Sequence, residues 1–214
     1  MKAIFFDLET TSLNPIGQIL NYSFIEVDHN YVKHSELSGK IELCHTQIPD
    51  VGAIRANCID IDDHMQGKYD SEYAAMGKIH RYLSKVCGKS NGSVLLVGQN
   101  IHRFDIHFLR TSMIRNGFNP YIRNIMYADT KFTSKKAFIE NEQFRELLLK
   151  DAEESTRIFS LEHMCQSLGF LTESQQHESR ADVLLTIELS KKIWEHGVDI
   201  FAYDACEVKN PKVG

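Results

Sequence analysis

The sequence of 214 residues is predicted to fold as an α/β domain, with a mixed five-stranded sheet flanked by helices. Three apolar, strand-forming runs come first, which is typical of an antiparallel meander. Stretches with apolar residues at helical spacing then alternate with short strands. Strands followed by alternating helices and strands favour a mixed sheet whose faces are covered by helices. The chain is long enough for a full core, and 43% of its residues are apolar.

The predicted elements follow this order along the chain. The strands are residues 2–6 with their continuation towards residue 9, then residues 19–27, 41–48, 94–97 and 125–128. Asp28-His29-Asn30 marks the turn after the second strand. Apolar spacing predicts a helix over residues 70–86 with Asp70 as its cap, and further helices follow residue 104 and residue 179.

Two acidic residues, Asp7 and Glu9, follow the first apolar run. If the strand continues through them, their side chains project from the same face, because side chains alternate along a strand. Two carboxylates on one face repel each other unless a cation neutralises them, and clustered oxygen ligands suit Mg²⁺ or Mn²⁺. The alternative is that both are solvated residues where a strand ends.

A third acid, Asp105, follows the predicted strand at residues 94–97 and a loop that begins at Gly98. The apolar spacing after Phe104 places Asp105 in the first turn of a helix. Acids are common there in any protein, because the helix dipole and the free backbone N–H groups favour them. A structural role for Asp105 therefore stays open.

His177 and Asp182 precede the apolar run of the last predicted helix. Five residues along one helix would place their side chains about 140° apart, so the two converge only if the helix begins near Ser179 and His177 lies in the preceding loop. Ser179 followed by Asp182 also fits a capping pattern, in which Asp182 would be only a cap partner.

Together these three segments resemble the motifs of the DEDDh 3′→5′ exonucleases of the RNase H-like superfamily, an Asp-x-Glu, a middle Asp and a His-x-x-x-x-Asp. The nuclease domain of bacterial exonuclease I, which degrades single-stranded DNA, is most similar. That closer likeness rests on residues 100–105, Arg110, residues 116–121, residues 159–163 and residues 181–183. It covers residues 1–205 as one exonuclease domain, and residues 206–214 are expected to form a loose tail.

The resemblance implies a role for each motif residue. Asp7, Glu9 and Asp182 would hold one divalent ion, Asp7 and Asp105 a second, and His177 would be the general base. The cofactors would be two Mg²⁺ or Mn²⁺ ions and the product a 5′-mononucleotide. Glu9 would also bind the terminal 3′-hydroxyl. Residues implied to bind substrate are Thr10, Thr11, Leu13, Ala53, Ile54, Asn100, Arg103 and Phe104.

Two features depart from the resemblance. Many relatives have a glycine shortly after the acidic pair, where this chain has Thr10-Thr11-Ser12-Leu13. The long bacterial enzyme continues into further domains around the DNA, so we expect weaker binding and lower processivity here. Residues 49–55 fall where relatives place a loop over the 3′-terminal nucleotides, although Ile54 and Ile59 could simply attach this loop to the core.

Charge and composition limit the class of protein. The net charge is −5, but residues 101–136 contain seven basic residues and two acidic ones, which favours phosphate contact near Asp105. A solvated basic helix face is the alternative. No apolar stretch is long enough for a membrane span or a signal peptide, and the five cysteines show no metal-ligand spacing, so we expect a cytoplasmic protein with reduced thiols and no membrane partner.

Three functions stay open on the sequence. The first is an exonuclease that acts on 3′ ends of single-stranded DNA. The second is the same chemistry on RNA or short oligoribonucleotides, since contacts to a 2′-hydroxyl cannot be read from a sequence. The third is a catalytically silent nucleic-acid-binding scaffold, against which the five intact motif positions argue.

Overall fold

The computed structural model of the chain describes residues 1–90, 92–150, 152–170 and 179–202, and these ranges contain five strands and seven α-helices. The strands are β1 (Lys2–Thr10), β2 (Ile19–Asp28), β3 (Lys33–Lys40), β4 (Val94–Gly98) and β5 (Ile125–Asp129). They form one sheet in the order β3-β2-β1-β4-β5. The pairs β1–β2 and β2–β3 are antiparallel, whereas β1–β4 and β4–β5 are parallel. The predicted mixed sheet is confirmed.

The helices lie on both faces of this sheet. They are α1 (Val51–Ala56), α2 (Glu72–Gly88), α3 (Asp105–Arg115), α4 (Thr130–Glu140), α5 (Glu142–Leu149), α6 (Leu161–Ser167) and α7 (Ser179–Glu195), with a short 3₁₀ helix at Asp62–Met65. Among the described residues, no helix is long and apolar enough to cross a membrane. Four cysteines are free thiols, namely Cys44, Cys58, Cys87 and Cys165, and Cys206 lies outside the described residues.

Alternation along β1 divides the core between the two faces of the sheet. Ile4, Phe6 and Leu8 pack in the cluster that includes the buried faces of α2 and α3. Ala3 and Phe5 point the other way and pack in the cluster that includes Val183 and Ile187 of α7. Because the period of a strand is two, Asp7 and Glu9 share the face of Phe5 and therefore that of α7.

A third apolar cluster holds the carboxyl-terminal helices together. It contains residues of α4, α5 and α6 together with Leu189 and Ile193 from the second half of α7. The first half of α7 packs on the sheet and the second half on this helical layer. The helix is thereby held in place along its length, with its amino-terminal turn directed at the acidic end of β1.

The expected strand at residues 41–48 is wrong. The third strand is β3, a largely polar segment, and Ile41 makes only an isolated bridge with Asp70. The physical reason is the tight turn after β2, in which the backbone N–H of Val32 donates to the Asp28 side chain, so that the residues directly after the turn pair with β2. An edge strand needs backbone pairing more than apolar side chains.

The expected cap of the second helix is also wrong. The side chain of Ser71 accepts a hydrogen bond from the backbone N–H of Ala74 and caps α2. Asp70 instead pairs with Lys78 and forms the bridge to Ile41. The two neighbours are both good capping residues, and the strand-like bridge at Asp70 leaves the cap to Ser71.

Candidate active site

Three predicted acids meet at one point. Asp7 and Glu9 come from the carboxyl-terminal half of β1, and Asp182 comes from the first turn of α7. One carboxylate oxygen from each residue lies within 4.8 Å of the other two. From Ser179, the first residue described after the gap, the chain is helical, and Asp182 in this turn lies beside the acidic pair.

Asp105 lies close enough to these acids for its charge to raise the pKa values of Asp7 and Glu9. It is the first residue of α3, directly after the loop that follows β4, and only 3% of it is exposed. Among the described residues, its Oδ1 atom is buried and has no hydrogen-bond partner. A buried carboxylate oxygen without a donor is costly, so this atom is suited to a bound cation.

The pKa values of these acids show how strongly they are crowded. Burial, then the charges of Asp105, Glu9 and Asp182, raises the pKa of Asp7 well above its usual range. Burial and the charges of Asp182 and Asp105 raise the pKa of Glu9 to about 8. Burial raises the pKa of Asp105 to about 7, with a further contribution from Asp129. Protons or cations are needed to stabilise the cluster at neutral pH.

The chemistry of the donors fits a hard divalent cation. Asp7, Glu9, Asp105 and Asp182 supply only carboxylate oxygens, which suit Mg²⁺ and Mn²⁺ better than soft metals. The buried, unpartnered oxygen of Asp105 is a second, independent sign of a cation at this place. These four residues are therefore able to hold divalent metal ions.

One buried residue near this site was missed in the sequence. Asp129 ends β5 and is 2% exposed, and its carboxylate accepts hydrogen bonds from the backbone N–H groups of Asn100 (2.8 Å), His102 (3.3 Å) and Lys131 (3.0 Å). It thereby ties the loop before Asp105 to the start of α4. Its local context, an acid at the end of a short strand and before a helix, is ordinary and does not by itself indicate a functional residue.

The loop from β4 to α3 is held in an unusual conformation. Asn100 has φ +62°, in the left-handed region that non-glycine residues rarely adopt. A Cβ atom added at Gly98 would lie 2.6 Å from the carbonyl oxygen of Phe6, so β4 approaches β1 closely just before Asp7. The loop is therefore positioned by a close backbone contact at one end and by Asp129 in its middle.

The region expected to cover the 3′-terminal nucleotides is a short helix, α1, rather than a loop. The backbone N–H of Asp50 donates to the carbonyl of Thr11 (2.7 Å), and the Asn57 side chain donates to the carbonyl of Thr10 (3.3 Å). These bonds place α1, with Ala53 buried and Ile54 half-buried, beside the residues after the acidic pair. Thr10, Thr11, Ala53 and Ile54 are thus brought together.

The other predicted substrate residues lie in two places. Leu13 is 81% exposed, in a loop whose carbonyls at Ile16 and Gly17 accept hydrogen bonds from Arg115. The remaining three precede Asp105 in the sequence. Asn100 is half-buried and Arg103 is exposed, and Phe104 packs against Phe108 with ring centroids 4.8 Å apart. His177 lies outside the described residues.

The mixed sheet and the cluster of acids are typical of a nuclease domain, and comparison with known protein families gives the same class. Residues 4–190 match the RNase T family, whose description is exonuclease, and the chain belongs to this family. The expectation of an exonuclease domain is confirmed by this family match, and the structure confirms the expected mixed sheet flanked by helices. None of the curated proteins compared with the chain matches it in sequence.

Solved structures of Escherichia coli exonuclease I share the fold. Its complex with a dT13 oligonucleotide has a TM-score of 0.73 at 20% identity, covering 90% of this chain and 40% of that one. The zinc-bound form of its complex with single-stranded DNA has a TM-score of 0.75 at 20% identity, covering 94% and 42%. The present chain spans about two fifths of the length of these structures.

Proposed function

We propose that the protein is an exonuclease that hydrolyses single-stranded DNA from its 3′ end to 5′-mononucleotides with the help of two divalent ions, Mg²⁺ or Mn²⁺. The observation that carries this proposal is the meeting of Asp7, Glu9 and Asp182 within 4.8 Å. Family membership supports the reaction class, and the buried, unpartnered oxygen of Asp105 supports a cation beside the three acids.

In this proposal Asp7, Glu9 and Asp182 hold one ion, and Asp7 and Asp105 hold the second. Bound divalent ions would activate water and stabilise the attacking and leaving oxygens of a phosphoryl displacement. The elements that carry these acids are fixed relative to one another, because β1 contributes to both apolar clusters, α3 packs into one of them and α7 into the other. Glu9 would in addition bind the terminal 3′-hydroxyl of the substrate.

His177 is proposed as the general base. It precedes the first residue of α7 by two positions in the sequence, which is close enough for a side chain from that segment to serve the site that Asp182 enters. An imidazole with a pKa near 6.5 can accept a proton from water at neutral pH, a contribution of about 10²–10⁴ in rate.

The residues around the acids would hold the terminal nucleotides. The half-buried Ile54 and the exposed Leu13 can contact a base without sequence preference, because every base has an apolar face. Thr10, Thr11 and Ala53 have buried side chains and would support this contact from beneath. Arg103 is exposed two residues before Asp105 and can reach a phosphate. Together these contacts would favour an unpaired 3′ end.

Single-stranded DNA is proposed over RNA because the structural neighbours named above were solved with DNA. Escherichia coli exonuclease I is seen in complexes with dT13 and with dA16 oligonucleotides. The basic stretch at residues 101–136 suits either nucleic acid, and the test must therefore include both.

The experiment compares 5′-labelled DNA and RNA oligomers of one sequence, incubated with Mg²⁺, Mn²⁺ or EDTA. We expect a ladder that shortens from the 3′ end, faster on DNA, and abolished by EDTA. Asp7→Asn and Asp182→Asn should lower the rate at least 100-fold. The matched control is Glu195→Gln, an exposed acid at the far end of α7 that pairs with Lys192. Faster cleavage of RNA would reassign the substrate, and binding without any cleavage would support a silent scaffold.

A further inference from the structure

A groove of about 480 Å³ lies between α4 and the segment that leads into α6. Lys131 and Lys135 of α4 line it together with residues 156–161, and Gln99 and Asn100 come from the loop that leads to Asp105. The volume lies within the range of about 300–1,000 Å³ that is common for ligand-binding pockets. The groove is large enough for part of a nucleotide chain.

The groove is strongly basic. Lys131, Lys135 and Arg157 line it, and none of the described residues that line it is acidic. None of these three cations forms an ion pair with a carboxylate in the described part of the chain. Lys135 Nζ lies 5.7 Å from the ring centroid of Phe159, which adds an aromatic surface next to the charge. Unpaired cations beside an aromatic ring suit a phosphate–sugar backbone with stacked bases.

The walls of this groove are tied to each other. The Gln99 side chain donates a hydrogen bond to the carbonyl of Phe159 (3.0 Å) and accepts one from the Thr130 hydroxyl. The Lys131 ammonium donates to Asn100 Oδ1 (3.3 Å). These bonds connect both walls to the loop after β4, so the groove is preorganised and costs little ordering on binding.

The position of the groove links it to the acidic site. Asn100 belongs both to the groove and to the loop that ends at Asp105, five residues later. Asp129, which holds this loop, also caps α4, the helix that carries both lysines. A strand whose 3′ end lies at the acids can therefore continue from Asn100 along α4.

We propose that this groove binds the backbone phosphates of single-stranded nucleic acid several nucleotides on the 5′ side of the cleaved bond. The inference rests on the proposed function, because that function places the 3′ end at the acids. Lys135 and Arg157 contact phosphates, and Phe159 packs against a base or sugar. Affinity therefore depends on strand length: strands that reach the groove bind tightly, and strands too short to reach it do not.

The test uses the variant Lys135→Gln, Arg157→Gln, which removes two exposed charges without touching the core. The matched control is Lys85→Gln, Lys89→Gln, which removes two exposed charges from the end of α2, near the start of β4 and thus at the opposite end of the sheet. Binding of labelled dT12 and dT3 is measured by fluorescence anisotropy with Ca²⁺ as the ion, at several salt concentrations.

We expect the groove variant to bind dT12 at least tenfold more weakly than the native protein does, and to bind dT3 equally well. The slope of log K against log salt should fall by about 1.4 for dT12, since each phosphate contact on a single strand contributes about 0.7. The control variant should change neither quantity. Thermal unfolding of both variants should match that of the native protein.

Equal losses for dT3 and dT12, or a loss no larger than that of the control, would overturn the groove proposal. So would displacement of dT12 by an acidic peptide, polyglutamate, as effectively as by unlabelled dT12, because the groove would then be a site for a protein tail. Cleavage of dT12 in Mg²⁺ is measured in parallel. Its absence would overturn the proposed function, while the binding comparison would still decide the role of the groove.

Discussion

The carboxylate of Asp129 accepts a hydrogen bond from the backbone N–H of Asn100 across 2.8 Å, and this bond holds Asn100 in its left-handed conformation. The two residues are 29 positions apart in the chain and belong to neighbouring strand ends. Between Asn100 and the orphaned oxygen of Asp105 there are only four residues, so the position of Asp105 depends on Asp129.

Replacing Asp129 should therefore impair catalysis as well as stability. Asp129→Ala leaves three backbone N–H groups without their charged acceptor, and a hydrogen bond to a charged group contributes about 1.5–3 kcal/mol. We expect a loss of at least 2 kcal/mol in the free energy of unfolding and a fall in kcat of at least tenfold at a temperature where the variant is folded.

The control for this prediction is Ser71→Ala, which removes the cap of α2 at a cost of about 1 kcal/mol. That variant should lose stability but keep its kcat. Denaturant unfolding and oligonucleotide cleavage together measure both effects. An Asp129→Ala protein with native kcat would show that the loop keeps its shape without the carboxylate.

The stability of the metal-free protein should decrease as pH rises. The pKa of Glu9 is about 8 in the fold against 4.5 as its ordinary value, and that of Asp105 is about 7 against 3.8. At a pH between the ordinary and the folded pKa of either residue, the folded state binds more protons than the unfolded state. A rise in pH through that range therefore favours unfolding. Below about pH 4 both states are protonated and this penalty is absent.

Thermal unfolding in EDTA, measured from about pH 5 to pH 8, tests this dependence. The Tm should fall across that window, and Mg²⁺ should raise the Tm more at pH 8 than at pH 5, because metal binding requires ionised carboxylates. Glu9→Gln, which cannot ionise, should show a smaller fall than the native protein. A Tm in EDTA that rises with pH, and by the same amount in the native protein and in Glu9→Gln, would contradict the prediction.

Gly98 is required at the point where β4 approaches β1. A Cβ atom there would lie 2.5 Å from Ile101 Cγ2 and 2.6 Å from the carbonyl oxygen of Phe6, distances that force the backbone to move. We expect Gly98→Ala to cost about 1–3 kcal/mol of stability and to lower activity, since Asp7 follows Phe6 directly.

Gly88→Ala provides the comparison for this substitution. Among the described residues, no atom outside the helix's own backbone lies within 4 Å of a Cβ at Gly88, at the end of α2, so an alanine there should leave stability unchanged or raise it by up to about 1 kcal/mol. Chemical denaturation of both variants measures the difference. Equal stabilities for the two alanine variants would show that β4 and β1 can separate without cost.

The proposed base can be separated from the metal ligands by experiment. His177→Ala should lower kcat about 10²–10⁴-fold and remove the rise in rate with pH near the pKa of histidine, while Mg²⁺ affinity stays native. His29→Ala, in the exposed turn after β2, should change neither. A His177→Ala protein with an unaltered pH profile would assign the proton transfer to another group.

Local patterns in the sequence predicted most of the acidic site. The two-residue spacing of Asp7 and Glu9 indicates one face of a strand, and the apolar periodicities place Asp105 and Asp182 in first turns of helices. These are short-range properties, and the structure confirms all four placements. At each of the four positions, a few neighbouring residues determine the local geometry.

Other parts could not be predicted in this way. The polar β3 is a strand because a tight turn pairs it with β2, whereas the more apolar residues 41–48 make single backbone hydrogen bonds and one isolated bridge instead of a continuous ladder. Asp129 has an ordinary local context, and its importance comes from backbone donors about thirty residues earlier.

The sequence by itself determined which residues could bind metal and on which kind of element each lies, because alternation and helical periodicity are set by neighbours in the chain. Only the tertiary structure decided that these residues meet, that Asp105 has an unpartnered oxygen, and that a basic groove continues from Asn100. The reason is physical: strand order and the packing of α7 across β1 are long-range contacts, whose free energy depends on residues far apart in the sequence.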